Sequence, residues 1–316
     1  MIANGAARVK KSVENHSVVS LSSGECYFIC SGHFRTEQLL QGGGVLKDNG
    51  KVTQEWALVL GASSGFGATV SIELARNGMN IAGVHLDRRQ TMPNVERMEG
   101  EIRSLGREAR FYNINAADPE KRAEVLDDLA QRFRDADRPQ MLRCVLHSLA
   151  FGSLKPFIAE DPRDAITRAQ MDMTLDVMAH SLIYWTQDLY WRKLLSRGTK
   201  IFAMTSSGSH RAIPLYGAVS AAKAALEANV RQLAVELGPA GVLVNAIQAG
   251  VTDTPALRKI PGNEALIGFA ENRNPGGRPT TPQDIAATIA ALCRPEIMWV
   301  TGDVIRVDGG EDIIAV

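Results

Sequence analysis

The sequence is poor in cysteine, in net charge and in long apolar runs, and each shortage excludes a class of protein. It has four cysteines in 316 residues, Cys26, Cys30, Cys144 and Cys293, too few and too scattered for a disulfide framework. No second pair or histidine cluster accompanies Cys26 and Cys30, so we expect no metal site. The 35 Lys and Arg residues balance 35 Asp and Glu residues, which gives no indication of binding to nucleic acid or to an anionic membrane.

No apolar run approaches the roughly 20 residues that a membrane span requires. The basic residues near the start are not followed by the apolar core of a signal peptide. With its thiols expected to be reduced, the sequence predicts a cytoplasmic protein. Residues 1–50 are predicted to be a partly flexible N-terminal extension, and residues 51–316 a single domain, with the glycine-rich segment Gln41–Lys51 as the linker.

From Trp56 onward, short apolar runs alternate with amphipathic helical patterns. This alternation predicts a Rossmann-type α/β fold, a doubly wound parallel seven-stranded sheet in a three-layer sandwich. The first helix is predicted over Ala68–Arg76. The predicted strands lie in ALVL, NIAGVHL, EARFYNI, MLRCVLHSLA, TKIFAMTSS, VLVNAIQAG and DVIRVDGG.

The turn between the first strand and the first helix is GASSGFG, with Gly61, Gly65 and Gly67 in a G-x3-G-x-G spacing. Glycines at such a turn allow the backbone to approach a pyrophosphate, and the helix N-terminus supplies N–H donors to it. Within a strand–turn–helix unit this pattern predicts a dinucleotide site, although a tight turn without a ligand is the simpler alternative.

The end of the second strand predicts which dinucleotide is bound. Eighteen residues after Gly67 stands His85, followed by Asp87 and then by Arg88 and Arg89. The histidine and the arginines suit a 2′-phosphate, whereas a carboxylate suits a free ribose hydroxyl. We therefore favour NADPH with His85 and Arg88 as ligands, and leave NADH open through Asp87.

The segment YGAVSAAK places Tyr216 and Lys223 seven positions apart, about two helical turns. Tyrosine titrates near 10, and a nearby ammonium is expected to lower that value and make the phenol a better proton donor. Ser206, at the end of the fifth predicted strand, is a third polar group. Such a trio suits a reduction in which negative charge develops on oxygen.

From Trp56 the chain resembles the short-chain dehydrogenase/reductase family in GASSGFG, VNAIQAG and GDVIRVDGG. Most members carry Tyr-x3-Lys, but here that position is Val219, so the aligned tyrosine is Tyr216. The Tyr-x6-Lys spacing, VLHSLAF and the segment from Arg211 resemble the enoyl-acyl carrier protein reductases. Met178 stands where ordinary members have a relay asparagine. Ser206 replaces a second tyrosine, which is similar to the NADPH-using, bacillus third-type subgroup.

The resemblance implies reduction of the trans-2 double bond of an enoyl thioester, with an acyl carrier protein-linked or CoA-linked substrate, in a homotetramer. Residues 254–278 are implied to form a substrate lid. Tyr216, Lys223 and Ser206 are implied to be catalytic. The cofactor contacts implied by position are Gly61, Ser63, Ser64, Gly65, Phe66, Gly67, Asn115, Ala116, Ser148, Leu149, Ala150, Lys223, Gly250, Val251 and Thr254.

Two other functions stay open at this point. One is a carbonyl reductase or hydroxysteroid dehydrogenase of the same fold, against which the spacing and Met178 count. The other is a nucleotide-bound sensor without turnover, which has no need of the phenol. His147 and His210 are interpreted as structural or rim residues, and the aromatic residues of the segment 185–191 as core or subunit interface.

Overall fold

The fold is built on one sheet of seven parallel strands, seen in a computed structural model that describes residues 52–314. The strand order is β3-β2-β1-β4-β5-β6-β7, which confirms the predicted doubly wound sheet. The predicted N-terminal extension lies outside the described residues. The strands are β1 Gln54–Leu60, β2 Asn80–His85, β3 Ala109–Asn113, β4 Gln140–His147, β5 Lys200–Ser206, β6 Leu243–Ala249 and β7 Val304–Val307.

Within residues 52–314, eight α-helices connect and cover the strands. They are α1 Gly65–Arg76, α2 Met92–Ser104, α3 Pro119–Asp135, α4 Arg168–Leu175, α5 Ser181–Trp191, α6 Gly217–Leu237, α7 Asn263–Arg273 and α8 Pro282–Leu292. Helix α1 begins at Gly65 rather than at the predicted Ala68, because the last glycines of the turn form its first turn. The N–H groups there have no partner within the helix and stay available to a ligand. A five-residue π-helix, Asp176–His180, joins α4 to α5.

Two apolar clusters pack on the sheet. One is formed largely with α3, α5 and α6 and contains Trp185, which is fully buried and donates its indole N–H to the Ala116 carbonyl at 2.8 Å. The other is formed largely with α1 and α8 and contains Phe202. A sheet covered on both faces explains why its central strands are continuous apolar runs rather than alternating ones. Of the other predicted aromatic residues, Tyr190 packs on the first cluster and Trp191 is exposed.

The second cluster also holds Cys144 of β4 and Cys293 at the end of α8, both buried and free. A hydrogen bond between the two thiols and their burial raise the pKa of Cys144 well above its ordinary value. Between residues 52 and 314, no helix has both the length and the apolar character that a bilayer span needs. Over those residues no group of three or more acidic, histidine or cysteine side chains is arranged to hold a metal.

Candidate active site

The glycine-rich turn is packed too closely for side chains at two of its positions. A Cβ on Gly67 would lie 2.0 Å from the Gly61 carbonyl oxygen, and one on Gly61 would lie 2.6 Å from the Ser148 carbonyl oxygen. Gly61 also has φ of +86°, a region that glycine adopts without strain. The turn therefore brings bare backbone to the carboxyl edge of the sheet, beside the N-terminus of α1. This cradle fits a pyrophosphate.

Several predicted cofactor residues converge on this turn. The Ser148 amide donates to the Leu60 carbonyl at 2.9 Å, and Leu149 lies 3.6 Å from the position of a Cβ on Gly61. Thr254 is buried, and its side chain lies 3.7 Å from the position of a Cβ on Gly65. The remaining residues of the turn and of the strand end are half-buried or exposed at the same edge: Ser63, Ser64, Phe66 and Ala150.

At the end of β2, the predicted NADPH ligands His85 and Arg88 and the predicted NADH ligand Asp87 lie in different environments. His85 is 4% exposed, and its Nδ1 lies 2.9 Å from Asp87 Oδ2, so the ring does not face outward. Burial raises the pKa of Asp87, but hydrogen bonds with Thr91, Ser63 and His85 outweigh it and hold that pKa below the ordinary value. A carboxylate thus stands against Ser63 of the glycine-rich turn, and Arg88 is exposed beyond it.

The two residues predicted after β3 occupy different environments. Asn115 is exposed, and its Oδ1 accepts from the Ala117 amide at 3.1 Å. Ala116 is buried, and its carbonyl is held by Trp185. Asn115 is therefore free to face a ligand at the sheet edge, whereas Ala116 contributes mainly to the support behind it.

Ser206 and Tyr216 come together at the end of β5. A Cβ on Gly208 would lie 2.7 Å from the Tyr216 ring and 3.2 Å from Ser206 Oγ, so the two side chains share one side of this glycine. Burial raises the pKa of Tyr216, and the nearby Ser206 hydroxyl lowers it by less. Ser206 Oγ is buried and, within the described residues, makes no hydrogen bond of good geometry.

Lys223 is placed differently from the sequence-based expectation. Its side chain is buried, and Nζ donates to the Met204 carbonyl at 2.6 Å. Burial lowers its pKa to about 8, and the charge of Glu227 offsets part of that effect. The expectation that Lys223 lowers the pKa of Tyr216 is wrong. Burial raises the pKa of the phenol, and the Lys223 ammonium donates its hydrogen bond to the β5 backbone instead.

His147, at the end of β4, is a buried neighbour of this group. Its Nε2 lies 2.8 Å from Ser181 Oγ, and that hydroxyl donates to the Val177 carbonyl at 2.7 Å. Burial, together with the charge of Lys223, lowers the pKa of His147 to about 3. His147 is therefore a neutral structural residue, as the sequence predicts, and the π-helix that carries Val177 holds its partner in place.

The position of the usual family tyrosine is part of the apolar core. Val219 is 4% exposed, and its Cγ2 lies 3.0 Å from the position of a Cβ on Gly152. Met178 Sδ on the π-helix lies at the same distance from that position. Tyr216 is thus the one phenol at the start of α6. Val219 and Met178 are apolar at the two positions where ordinary members have a tyrosine and an asparagine.

The turn after β6 is supported by a residue that sequence reasoning missed. A Cβ on Gly250 would lie 2.3 Å from Thr280 Oγ1 and 3.0 Å from Glu311 Oε2. The Val251 amide donates to that same Glu311 oxygen at 3.0 Å. Because Glu311 is 60 positions away in sequence from Val251, no local pattern indicates the contact.

Residues 61–311 match the family described as enoyl-(acyl carrier protein) reductase. The chain belongs to this family. It is an oxidoreductase of the short-chain dehydrogenase/reductase type. Relatives in this family bind NAD(H) or NADP(H).

Among curated relatives of this reductase is 1-cyclohexenylcarbonyl-CoA reductase of Streptomyces collinus, 28% identical over 262 residues, 82% of this chain and 87% of that one. The enoyl-acyl-carrier-protein reductase (NADH) FabI of Escherichia coli K12 is 35% identical over 152 residues, 48% of this chain and 57% of its own length. An NADPH counterpart from Staphylococcus aureus MRSA252 is 32% identical over 206 residues, 64% of this chain and 75% of that one.

A solved structure of enoyl-acyl-carrier-protein reductase (NADH) from Aquifex aeolicus VF5 superposes on this reductase with a TM-score of 0.71 at 25% identity, covering 83% of this chain and 98% of that one. A short-chain dehydrogenase of Burkholderia cenocepacia J2315, solved with NADP, gives a TM-score of 0.68 at 25% identity, with 83% and 99% covered.

Proposed function

We propose that this reductase reduces the trans-2 double bond of enoyl thioesters, carried by acyl carrier protein or CoA, with a reduced nicotinamide dinucleotide. The observation that carries the proposal is the single phenol at the start of α6: Tyr216 stands beside Ser206, and Val219 is buried in the core. In a conjugate reduction the carbonyl oxygen lies two carbons from the hydride acceptor. Moving the hydroxyl by about one turn, roughly 5 Å, suits that geometry.

Each residue then has a proposed role. The nicotinamide, when bound, would supply the hydride to the β-carbon of the substrate, and a proton from solvent would then complete the reduction at the α-carbon. Tyr216, whose pKa burial raises, keeps its proton at neutral pH and donates a hydrogen bond to the thioester oxygen as negative charge develops there. Ser206 supports that hydroxyl, and Lys223, whose pKa of about 8 leaves it mostly charged at neutral pH, binds the nicotinamide ribose.

Asp87 leads us to propose NADH as the preferred cofactor, in place of the NADPH favoured from the sequence. Its carboxylate lies at the end of β2 against Ser63, where an adenosine ribose would meet the glycine-rich turn. A carboxylate accepts hydrogen bonds from ribose hydroxyls and repels a 2′-phosphate. His85 is turned inward onto Asp87, so it offers no counter-charge to a phosphate.

An exposed apolar segment, here called the wall, reaches the start of α6 at Phe157 and supports an acyl substrate. Phe151, Phe157 and Ile158, in the segment between β4 and α4, are all exposed by more than half of their surface. A Cβ on Gly217, the residue after Tyr216, would lie 2.5 Å from the Phe157 ring. We propose that this wall and the lid, residues 254–278, enclose the acyl chain and exclude water during hydride transfer.

The test is a substrate panel followed by the absorbance of reduced nicotinamide. Crotonyl-CoA and longer trans-2-enoyl thioesters, on CoA and on acyl carrier protein, are compared with β-ketoacyl thioesters and steroid ketones, each with NADH and with NADPH. We expect turnover of the enoyl thioesters, faster with NADH. Turnover restricted to the ketones would refute the proposal.

The second candidate is a carbonyl reductase, favoured by the Ser206 hydroxyl beside Tyr216, a pair that suits reduction at a carbonyl carbon. Versicolorin reductase of Emericella nidulans is 24% identical over 273 residues and is covered over 97% of its length. The ketone arm of the panel decides between the two. The homotetramer and the cytoplasmic location remain predictions.

A further inference from the structure

The turn after β7, residues 308–313, contacts three separate segments of the candidate site; we call it the C-terminal turn. Asp308 builds the turn itself: its Oδ1 accepts from the Gly310 amide at 2.9 Å, and its Oδ2 accepts from the Asp312 amide at 3.1 Å. Gly309 and Gly310 both have positive φ, +63° and +90°, which lets the chain fold back toward β6. The turn is thus preorganised, and its two remaining acids point away from it.

The first acid, Glu311, holds the segment after β6. It is 9% exposed, and its Oε2 accepts from the Val251 amide at 3.0 Å. Gly250 lies directly against the same carboxylate oxygen. This segment continues to Thr254, which lies against the glycine-rich turn. Glu311 therefore sets the position of backbone on the cofactor side of the site.

The second acid, Asp312, holds the segment between Ser206 and Tyr216. Its Oδ2 contacts His210 Nε2 and Gln248 Nε2 at 3.0 Å each, and its Oδ1 lies 2.7 Å from Arg211 Nε. The Asp312 carbonyl accepts a further bond from the Arg211 guanidinium at 2.5 Å.

In the part of the chain that the structure describes, the hydrogen bonds that tie residues 207–215 to other segments all run to Asp312; the others stay within the loop and the start of α6.

The end of the lid is tied to the same turn. Asn274, which follows α7, is 7% exposed and donates from Nδ2 to the Asp308 carbonyl at 2.7 Å. Pro275 lies 3.2 Å from the position of a Cβ on Gly310. The three tied segments thus share one support, although they lie far apart in sequence.

We propose that Glu311 and Asp312 are positioning residues with separate tasks: Glu311 fixes the cofactor-facing segment 250–254, and Asp312 fixes the loop that sets Tyr216 against Ser206. The effect on turnover rests on the proposed function. The effect on the two segments does not, because it follows from the contacts alone. A 1 Å misplacement of a reacting group can cost up to about a hundredfold in rate, so a small shift of either segment is measurable.

The experiment compares Glu311→Ala and Asp312→Ala with Ile313→Ala, a control on the same turn whose side chain is 68% exposed. Amide hydrogen exchange is followed peptide by peptide in the full chain, with the dissociation constant for reduced cofactor and kcat for crotonyl-CoA. Exchange separates a local release of one segment from a general loss of stability.

Asp312→Ala is expected to speed exchange in 207–216 and to lower kcat by about tenfold or more, with cofactor affinity unchanged. Glu311→Ala is expected to speed exchange in 250–254 and to weaken cofactor binding by about tenfold, as for loss of roughly 1.4 kcal/mol. Ile313→Ala is expected to change neither. Asp312→Asn and Glu311→Gln keep an acceptor oxygen. We expect them to show the same changes as the alanine variants, but smaller ones.

The same uniform rise in exchange across the chain for both alanine variants, or no change in either segment, would overturn the proposal. If an alanine variant fails to fold, the amide variants carry the same comparison. If the unmodified reductase turns over no enoyl thioester, the proposed function fails, while the exchange and cofactor-binding results still decide the roles of the two acids.

Discussion

Replacing Lys223 by methionine is expected to stabilise the cofactor-free protein while removing its activity. The side chain is 6% exposed, and burial lowers its pKa to about 8 from an ordinary 10.5. The unfolded chain therefore binds this proton more tightly than the folded one. The charge opposes folding below pH 8, and the penalty disappears as pH rises from about 8 to 10.5. At about 1.36 kcal/mol per pKa unit, the difference amounts to about 3 kcal/mol at pH 7.

The hydrogen bond from Lys223 to the Met204 carbonyl, 2.6 Å, is lost in the variant and offsets about 1–2 kcal/mol of that gain. We therefore expect Lys223→Met to raise the free energy of unfolding by about 1–2 kcal/mol at pH 7. Urea unfolding at pH 7 and at pH 10 measures it. At pH 10 the advantage should shrink or reverse, because the neutral lysine of the unmodified protein no longer carries the penalty.

The matched control is Lys200→Met. Lys200 is 2% exposed on β5, burial lowers its pKa as well, and it lies among Cys144 and Cys293 rather than at the candidate site. We expect Lys200→Met to keep cofactor binding and turnover, whereas Lys223→Met loses both. A Lys223→Met protein that is less stable than the unmodified one at pH 7, or equally changed at both pH values, would show that the buried charge of Lys223 does not oppose folding.

Three further outcomes are expected. Tyr216→Phe should lower kcat by about 10²–10⁴-fold at unchanged cofactor affinity, with Tyr190→Phe on α5 as the control that keeps its rate; equal effects of the two would contradict a role for the phenol. Gly67→Ala should abolish cofactor binding and lower the free energy of unfolding in urea by about 3 kcal/mol, because its Cβ would lie 2.0 Å from a carbonyl oxygen. Its control is Gly100→Ala, which has open space around it and should be neutral or slightly stabilising. Asp87→Ser should raise the ratio of kcat/KM with NADPH to kcat/KM with NADH by about tenfold or more. An unchanged ratio would mean that the adenosine ribose does not bind at Asp87.

The sheet was predictable because its signals are local. Each buried strand is a short apolar run, and each crossover helix has its own periodicity, so a sheet of seven parallel strands follows from the sequence. Local signals also misplace ends: the glycines that indicate a turn at Gly65 in fact begin α1. Helix α7, within the segment expected to be a lid, was missed because its apolar residues show no helical periodicity.

The sequence indicated which residues meet at the candidate site, but not their burial, hydrogen bonds or pKa shifts. Tyr216, Lys223 and Ser206 do gather at one sheet edge, but the bond from Lys223 Nζ to a β5 carbonyl depends on the tertiary fold. The inward turn of His85 onto Asp87 likewise depends on burial, which a sequence reports only indirectly. Contacts such as the one from His210 to Asp312 join residues 102 positions apart and leave no pattern in either segment.

The buried thiols of Cys144 and Cys293 can report transient local opening of the folded protein. Alkylating reagents attack the thiolate, and burial with the raised pKa of Cys144 keeps that form scarce while the core is closed. Each labelling event on these two residues, located by peptide mass, therefore records an opening of the layer between β4 and α8. Labelling rates with and without cofactor would measure how far ligand binding at the N-terminus of α1 slows the opening of that layer.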